Sequence, residues 1–282
     1  MKSKHSFSEE DIKAFEPAEK IGLIAMANPE GQPHITLITS IQAAGPARLT
    51  LGEFCKGLSK RYIQKNPNIA FLVMTLDKKM WRGKACWTHL KQEGPEYEKY
   101  NEIPMFRYNT YFGINTVHYL DLIESGGKED LSMSRIVPAA LATKIAKGGA
   151  KTGIAERILK PFAEKLFNQL DSLKFIAYIG SDGFPVIVPL IQCQAADSRR
   201  LAFSPFAYKN ELGKIPEGSS VAVFGITMAM EDVLVRGTFL GFKKYRFLQI
   251  GTIDIEWVYN SMPPAHGQVY PHMDLEPVVN FD

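Results

Sequence analysis

The chain repeats itself at a spacing of 152 residues, and this register constrains its fold more than any other feature. Gly31–Gln32–Pro33 returns as Gly183–Phe184–Pro185, and Ile24–Ala25 returns as Ile176–Ala177. Arg48–Leu49, Phe54 and Ala70 return as Arg200–Leu201, Phe206 and Ala222. At a spacing two residues longer, Trp81–Arg82–Gly83 answers Val235–Arg236–Gly237, and near each end Thr116–Asp121 parallels Thr252–Trp257. Two long units in one register predict a duplicated domain. Solenoids and propellers need several short repeats and are excluded.

Composition supports two folded units. A length of 282 residues accommodates two domains, and 45% hydrophobic with 11% aromatic residues fills a core in each. A net charge of +3 is too small to argue for nucleic acid. Cys55, Cys86 and Cys193 form no C-x-x-C pair and are odd in number, so neither a disulfide framework nor a zinc site is expected. The N-terminus is polar, and no run approaches the ~20 apolar residues that span a bilayer. These features predict a cytoplasmic, reduced protein.

Ser8-Glu9-Glu10-Asp11 ahead of Ile12 and Phe15 predicts a capped helix over 8–16. Apolar runs at 21–27 and 34–39 flank Asn28-Pro29-Glu30-Gly31, giving strand, turn, strand, and 175–179 with 186–191 repeat it. Pro189 cannot donate to a ladder, so its strand is expected at an edge or a bulge. Further strands are predicted at 48–52, 69–74, 81–87 and 111–123, and again at 200–203, 221–225, 233–240 and 247–259. A helical stretch over 94–100 occurs in the first copy only. Many short strands with few helices predict a mostly β chain with one small antiparallel barrel per repeat. The domains expected are 1–132 and 173–282.

Residues 133–172 read as a helical linker: Ala139–Lys147, a Gly148-Gly149 break, then Ile154–Leu170. Ile154, Ile158, Phe162, Leu166 and Leu170 make one apolar stripe opposite Lys144, Lys147, Lys151, Arg157, Lys160 and Lys165. A membrane-surface helix fits that pattern. A linker packed on a barrel with its basic face in water fits it better.

The first repeat resembles the FMN-binding split barrels of the pyridoxamine 5'-phosphate oxidase-like superfamily. The resemblance rests on Ile24-Ala25, Gly31-Gln32-Pro33-His34, Arg48-Leu49-Thr50-Leu51, Gly57-Leu58-Ser59-Lys60, Asn66-Pro67-Asn68-Ile69-Ala70, Arg82-Gly83-Lys84-Ala85 and Glu93-Gly94-Pro95-Glu96-Tyr97-Glu98. It runs in order through residues 8–124 and is closest in pattern to small FMN-binding and flavin reductase-like proteins of anaerobic bacteria. It implies two tandem split β-barrels forming an intrachain pseudo-dimer, with FMN as cofactor. Lys56, Ser59 and Lys60 are the implied phosphate ligands, helped by amides of the following helix. Thr36, Thr39 and Ser40 are implied along the ring or ribityl chain, Leu51 and Gly52 as backbone against the isoalloxazine, and Arg82 as a further anion contact. Lys209 or Tyr208 of the second copy is expected to close the cleft.

Each of these residues also has an ordinary structural reading. A Ser-Lys pair opens many solvated helices, threonines favour strands, and Arg82 before a glycine suits a strand turn. His34 and His118 read as surface or edge residues, and Trp81 and Trp87 as packing. The pattern also departs from the family. Glu53 puts a carboxylate in a loop expected to favour anions, and Leu58 stands where a basic residue is usual. The second copy has no Ser-Lys pair, so its site reads as degenerate. The resemblance implies a flavin-mediated oxidoreductase served by a small-molecule or small redox-protein electron donor or acceptor. A deazaflavin is the alternative cofactor. A non-catalytic flavin or haem binder or a cofactor-free scaffold is the alternative function, and pairing of two fused chains is left open.

Overall fold

The computed structural model describes residues 4–54, 57–108, 113–260 and 267–273. It divides into two compact units, Met1–Leu131 with Ala177–Ile187, and Ser132–Ile176 with Val188–Asp282.

In the first unit, Ser8 caps α1 (Glu9–Phe15) reciprocally. Its hydroxyl accepts from the Asp11 N–H while the Asp11 carboxylate accepts from the Ser8 N–H. Phe15 is fully buried, and the Trp81 indole donates to Asp11 Oδ1 at 2.7 Å. The chain continues as β1 (Ile21–Ala27), β2 (Pro33–Leu37), β3 (Gln42–Gly45), β4 (Arg48–Glu53), α2 (Leu58–Lys65), β5 (Asn68–Met74), β6 (Lys79–Lys91), α3 (Pro95–Glu102), α4 (Pro104–Tyr108) and β7 (Thr116–Asp130). The strands form one antiparallel sheet in the order β2-β1-β5-β6-β7-β4-β3. Alternation sends Ile24, Leu49, Leu51, Phe71, Trp81 and Leu120 into one core with Phe15 and Ile63. A second cluster (Tyr100, Phe106, Ile114, Val117 and Tyr119) lies under α3 and α4.

The remaining elements are α5 (Met133–Ala146), a 3₁₀ turn at Lys147–Ala150, α6 (Pro161–Asn168), β8 (Leu173–Ile179), β9 (Pro185–Pro189), β10 (Gln194–Asp197), β11 (Arg200–Phe203), a 3₁₀ turn at Pro205–Tyr208, α7 (Lys209–Leu212), β12 (Ser220–Ile226), β13 (Asp232–Tyr245), β14 (Leu248–Asn260) and β15 (Gly267–Tyr270). The second sheet runs β10-β11-β14-β13-β12-β8-β9, with β15 added to β14. Read from β9, this is the succession of the first sheet read from β2. Pro189 ends β9, which is an edge strand as its missing N–H requires.

The ladders correct two of the spacings read from sequence. Met74 pairs Met80 and Ile226 pairs Asp232, while Asn68 pairs Cys86 and Ser220 pairs Thr238, so the spacing stays at 152 across this hairpin. Lys84–Ala85, and not Arg82–Gly83, therefore corresponds to Arg236–Gly237. In the last strand Arg48 pairs with Asp121 and Arg200 with Asp254, a spacing of 133, which shifts the Thr116–Thr252 alignment by three residues. Both register pairs are also ion pairs.

The segment between the sheets differs from a continuous helix as well. Residues 151–160 are not helical, because Gly153 adopts φ +74° and Pro161 cannot continue a helix from Lys160. Ile154 and Leu170 of the expected stripe are exposed. α6 stands to the second sheet as α1 does to the first. Phe167 is fully buried like Phe15, and the Leu159 N–H bonds Ser198 O as the Phe7 N–H bonds Pro46 O.

Lys174 is fully buried on β8, with its ammonium donating to Gln169 O and to Ile191 O at 3.3 Å. Desolvation pulls its pKa down to about 8. Below that value both folded and unfolded chains hold the proton. Between about 8 and the ordinary 10.5 only the unfolded chain does, so stability rises with pH across this window. Lys174→Met is expected to flatten that rise, which is on the order of 2–3 kcal/mol, in denaturant titrations at pH 7.5 to 10.5.

Among described residues, no helix is long and apolar enough to cross a membrane. Gly83 and Gly237 have no room for a side chain: a Cβ would lie 2.0 Å from Glu124 O and 1.9 Å from Asp254 O. Gly31, at φ +75°, has nothing within 4 Å. Gly237→Ala is expected to cost several kcal/mol through backbone displacement. Gly31→Ala should cost about 1–2 kcal/mol from left-handed strain alone. Thermal melts of the two variants compare these directly.

Candidate functional site

The region that carries the implied phosphate ligands Ser59 and Lys60 is built around α2 in the first unit. Gly57 is its N-cap, in an extended conformation and with no side chain to give the first-turn amides an acceptor. No acid follows in the first turn, in contrast to Glu9, Glu10 and Asp11 of α1 and Glu96 and Glu98 of α3. Leu58-Ser59-Lys60-Arg61 therefore opens without a side-chain cap among the described residues and with two cations of its own, which favours an anion. Ile63 enters the barrel core, and Tyr62 packs edge-on to His34 with centroids 5.3 Å apart. Asn66–Pro67 ends the helix.

Ser59 is buried and Lys60 half-buried at this start. Thr36 lies half-buried on β2, which packs against α2, and Thr39 is half-buried in the turn that follows β2. Lys56 lies outside the described residues. Ser59 and Lys60 thus stand on a helix that packs against the strand carrying Thr36.

Other implied contacts are committed elsewhere. Ser40 is buried, with its hydroxyl donating to Gly52 O at 2.8 Å and accepting from the Gly52 N–H at 3.1 Å. This pin ties the turn after β2 to β4 and occupies the backbone groups of Gly52. A Cβ on Gly52 would lie 2.5 Å from Ile114, so the glycine serves packing of the second cluster. Leu51 is wholly in the core. Arg82 makes a two-pronged pair with Glu129, at 2.5 and 3.1 Å, and donates to Ile187 O at 3.1 Å. Its guanidinium is a buried structural fork. Lys209 begins α7 in the second unit, exposed, and lines a shallow pocket with Pro138, Ala142, Phe206 and Leu248.

The sequence reading missed a buried polar relay. His118 is fully buried rather than at an edge, and its Nε2 lies 2.5 Å from Glu53 Oε2. The Trp87 indole donates to His118 Nδ1 at 3.1 Å. An indole N–H can only donate, so Nδ1 is the acceptor and the ring proton sits on Nε2, facing the carboxylate. This pairing answers the concern over Glu53, whose side chain accepts from a histidine N–H 65 residues away in sequence. Alternation on β4 and β7 does place both side chains inward with Leu51 and Leu120. His34 is likewise buried. His89 stacks on Tyr119 at 4.5 Å, and Tyr119 donates to Glu96 at 3.0 Å. No group of metal-ligating side chains occurs among the described residues.

Removing either partner strands a buried polar group, so Glu53→Ala and His118→Ala are each expected to cost about 3–5 kcal/mol. The double variant should cost at least about 1 kcal/mol less than the sum. Urea titrations of the four proteins complete this cycle.

No protein-family model matches the sequence, and no curated protein matches it. Solved structures similar to parts of the chain include an FMN-binding protein from Syntrophomonas wolfei, 11% identical over 40% of this chain and 80% of its own, with a TM-score of 0.35. A putative pyridoxamine 5'-phosphate oxidase from Lactobacillus delbrueckii is 18% identical over 44% of this chain and 98% of its own, with a TM-score of 0.35. An F420 reductase is 18% identical over the same shares, with a TM-score of 0.33. The fold itself stands on the chain's own strand order: a mostly β protein with two antiparallel sheets of the same strand succession.

Proposed function

We propose that the first unit binds FMN and that the chain is a flavin-dependent oxidoreductase. The observation that carries this reading is the start of α2, which has no side-chain cap among the described residues and where Ser59 and Lys60 meet the first amides without a carboxylate in the first turn. A phosphate monoester is the ligand such a donor set suits. Thr36 and Thr39 supply hydroxyls on the adjoining strand and turn. Ser40, Gly52 and Arg82 are occupied by protein partners and hold the frame rather than the cofactor. The fit is thus to the phosphate end of the cofactor. A bound flavin supplies the electron carrier, and the residues of the chain bind and orient it. Haem is disfavoured by the engagement of His34, His89 and His118 with neighbouring rings and polar groups.

Titration of apo protein with FMN, followed by flavin fluorescence, tests the reading. FMN is expected to bind more tightly than riboflavin, which lacks the phosphate. Lys60→Ala should weaken FMN about tenfold or more, the loss of one charge-assisted hydrogen bond, and leave riboflavin unchanged. Equal binding of both flavins, unaffected by Lys60→Ala, would sink the phosphate cradle. The absorption spectrum of protein as isolated separates flavin from deazaflavin.

A further inference from the structure

In the second unit, helix α5 packs against the sheet with its small side chains inward. Ala139, Ala140, Thr143 and Ala146 are buried, along with Ile136. Its large apolar residues point outward: Met133, Val137, Leu141 and Ile145 follow one another at four-residue spacing and are 40, 60, 59 and 47% exposed. A helix serving only its own sheet would bury this stripe. The patch continues onto the β13–β14 turn, where Phe247 is 98% exposed. Arg246 and Phe247 flank that patch directly, since Arg246 donates to Ile145 O and Leu248 shares a pocket with Pro138 and Ala142 of α5. Both turn residues adopt positive φ, +47° and +68°, where a non-glycine aromatic is strained. A glycine would relieve that strain, so the turn holds an aromatic outward at a cost in stability.

The segments that carry the patch bear cations and no acid of their own, the Glu217 carboxylate lying against Gly241 of the hairpin. Arg135 and Lys144 on α5, and Lys243, Lys244 and Arg246 on the hairpin, are exposed, and no acid occurs from Leu131 to Ala155 or from Gly241 to Gly251. A symmetric contact between two copies would set these cations against each other. We infer that this face docks onto an anionic phospholipid bilayer, with Phe247, Leu141 and Val137 entering the interface and the cations meeting lipid headgroups. Apolar insertion joined to basic charge is the pattern of interfacial attachment without a span.

Flotation of the full-length protein with phosphatidylcholine vesicles, with and without phosphatidylserine, tests this. Binding is expected only with phosphatidylserine and should fall as salt is raised. Leu141→Glu and Phe247→Gly should each weaken it by about tenfold or more. Phe247→Gly also checks folding, because release of turn strain should raise Tm by about 2–4 °C while vesicle binding falls. Absence of flotation with phosphatidylserine overturns the proposal, as does flotation unaffected by both variants. A dimer in light scattering that Leu141→Glu dissociates would assign the face to a second copy instead and also overturn it.

Discussion

The close passage of backbone against backbone at the centre of each sheet governs the rest of the structure. At Gly83 the neighbouring strand brings Glu124 O to 2.0 Å from where a Cβ would stand, and at Gly237 Asp254 O comes to 1.9 Å. Both glycines adjoin bulges in the β6–β7 and β13–β14 ladders. A bulge tightens the twist of a long hairpin, which bends the sheet around a core. With the bend in place, Trp81 faces Phe15 and Asp11 of α1, and the inward residues of β4 and β7 meet. Larger side chains at either glycine would push the strands apart and flatten the bend.

That constraint also explains how the sequence misled on register. Arg-Gly occurs in both central strands two residues out of step with the ladder, because the glycine follows the bulge while the 152 spacing follows the pairing. The antiparallel, mostly β character and the strand-turn-strand openings were readable from β-branched runs and Gly/Pro turns. β3 and β10 were not, since Gln42-Ala43-Ala44-Gly45 and Gln194-Ala195-Ala196-Asp197 have little strand propensity and form because neighbours pair them. Helical spacing over 154–170 predicts one helix, but Pro161 stops it from running through, and α6 begins at that proline.

The candidate site was legible where chemistry is local. An uncapped helix start with Ser59 and Lys60 can be read from adjacent residues. The fates of Arg82, Ser40 and His118 cannot, since their partners Glu129, Gly52 and Glu53 lie 47, 12 and 65 residues away. Polar residues read as ligands turned out to be structural pins, and a histidine read as superficial became a buried one. The physical reason is common to them all: a buried polar group must be satisfied, and which group satisfies it is decided by strand pairing.

The two sheets share a strand order but cover the same face differently, and this difference carries functional weight. Over β4 and β7 the first unit lays α3 and α4, whose Tyr100 hydroxyl bonds Thr50 at 2.9 Å and Ser40 O at 2.7 Å within an aromatic cluster. At the corresponding strands of the second unit, Ala202 and Ile250 meet Ala146 and Ala150, and Thr143 of α5 accepts from the Ser204 N–H at 2.9 Å. Aromatic cover needs depth, so Tyr100 of α3 and Phe106 of α4 turn inward. Alanine cover needs closeness, and a helix seated that closely has no inward space for Val137, Leu141 or Ile145. Replacing the longer excursion of the first unit by the two-residue turn Arg246–Phe247 then leaves a basic, aromatic tip beside that helix. One change in how a sheet face is covered thus produces both the compact seat of α5 and its apolar outer surface.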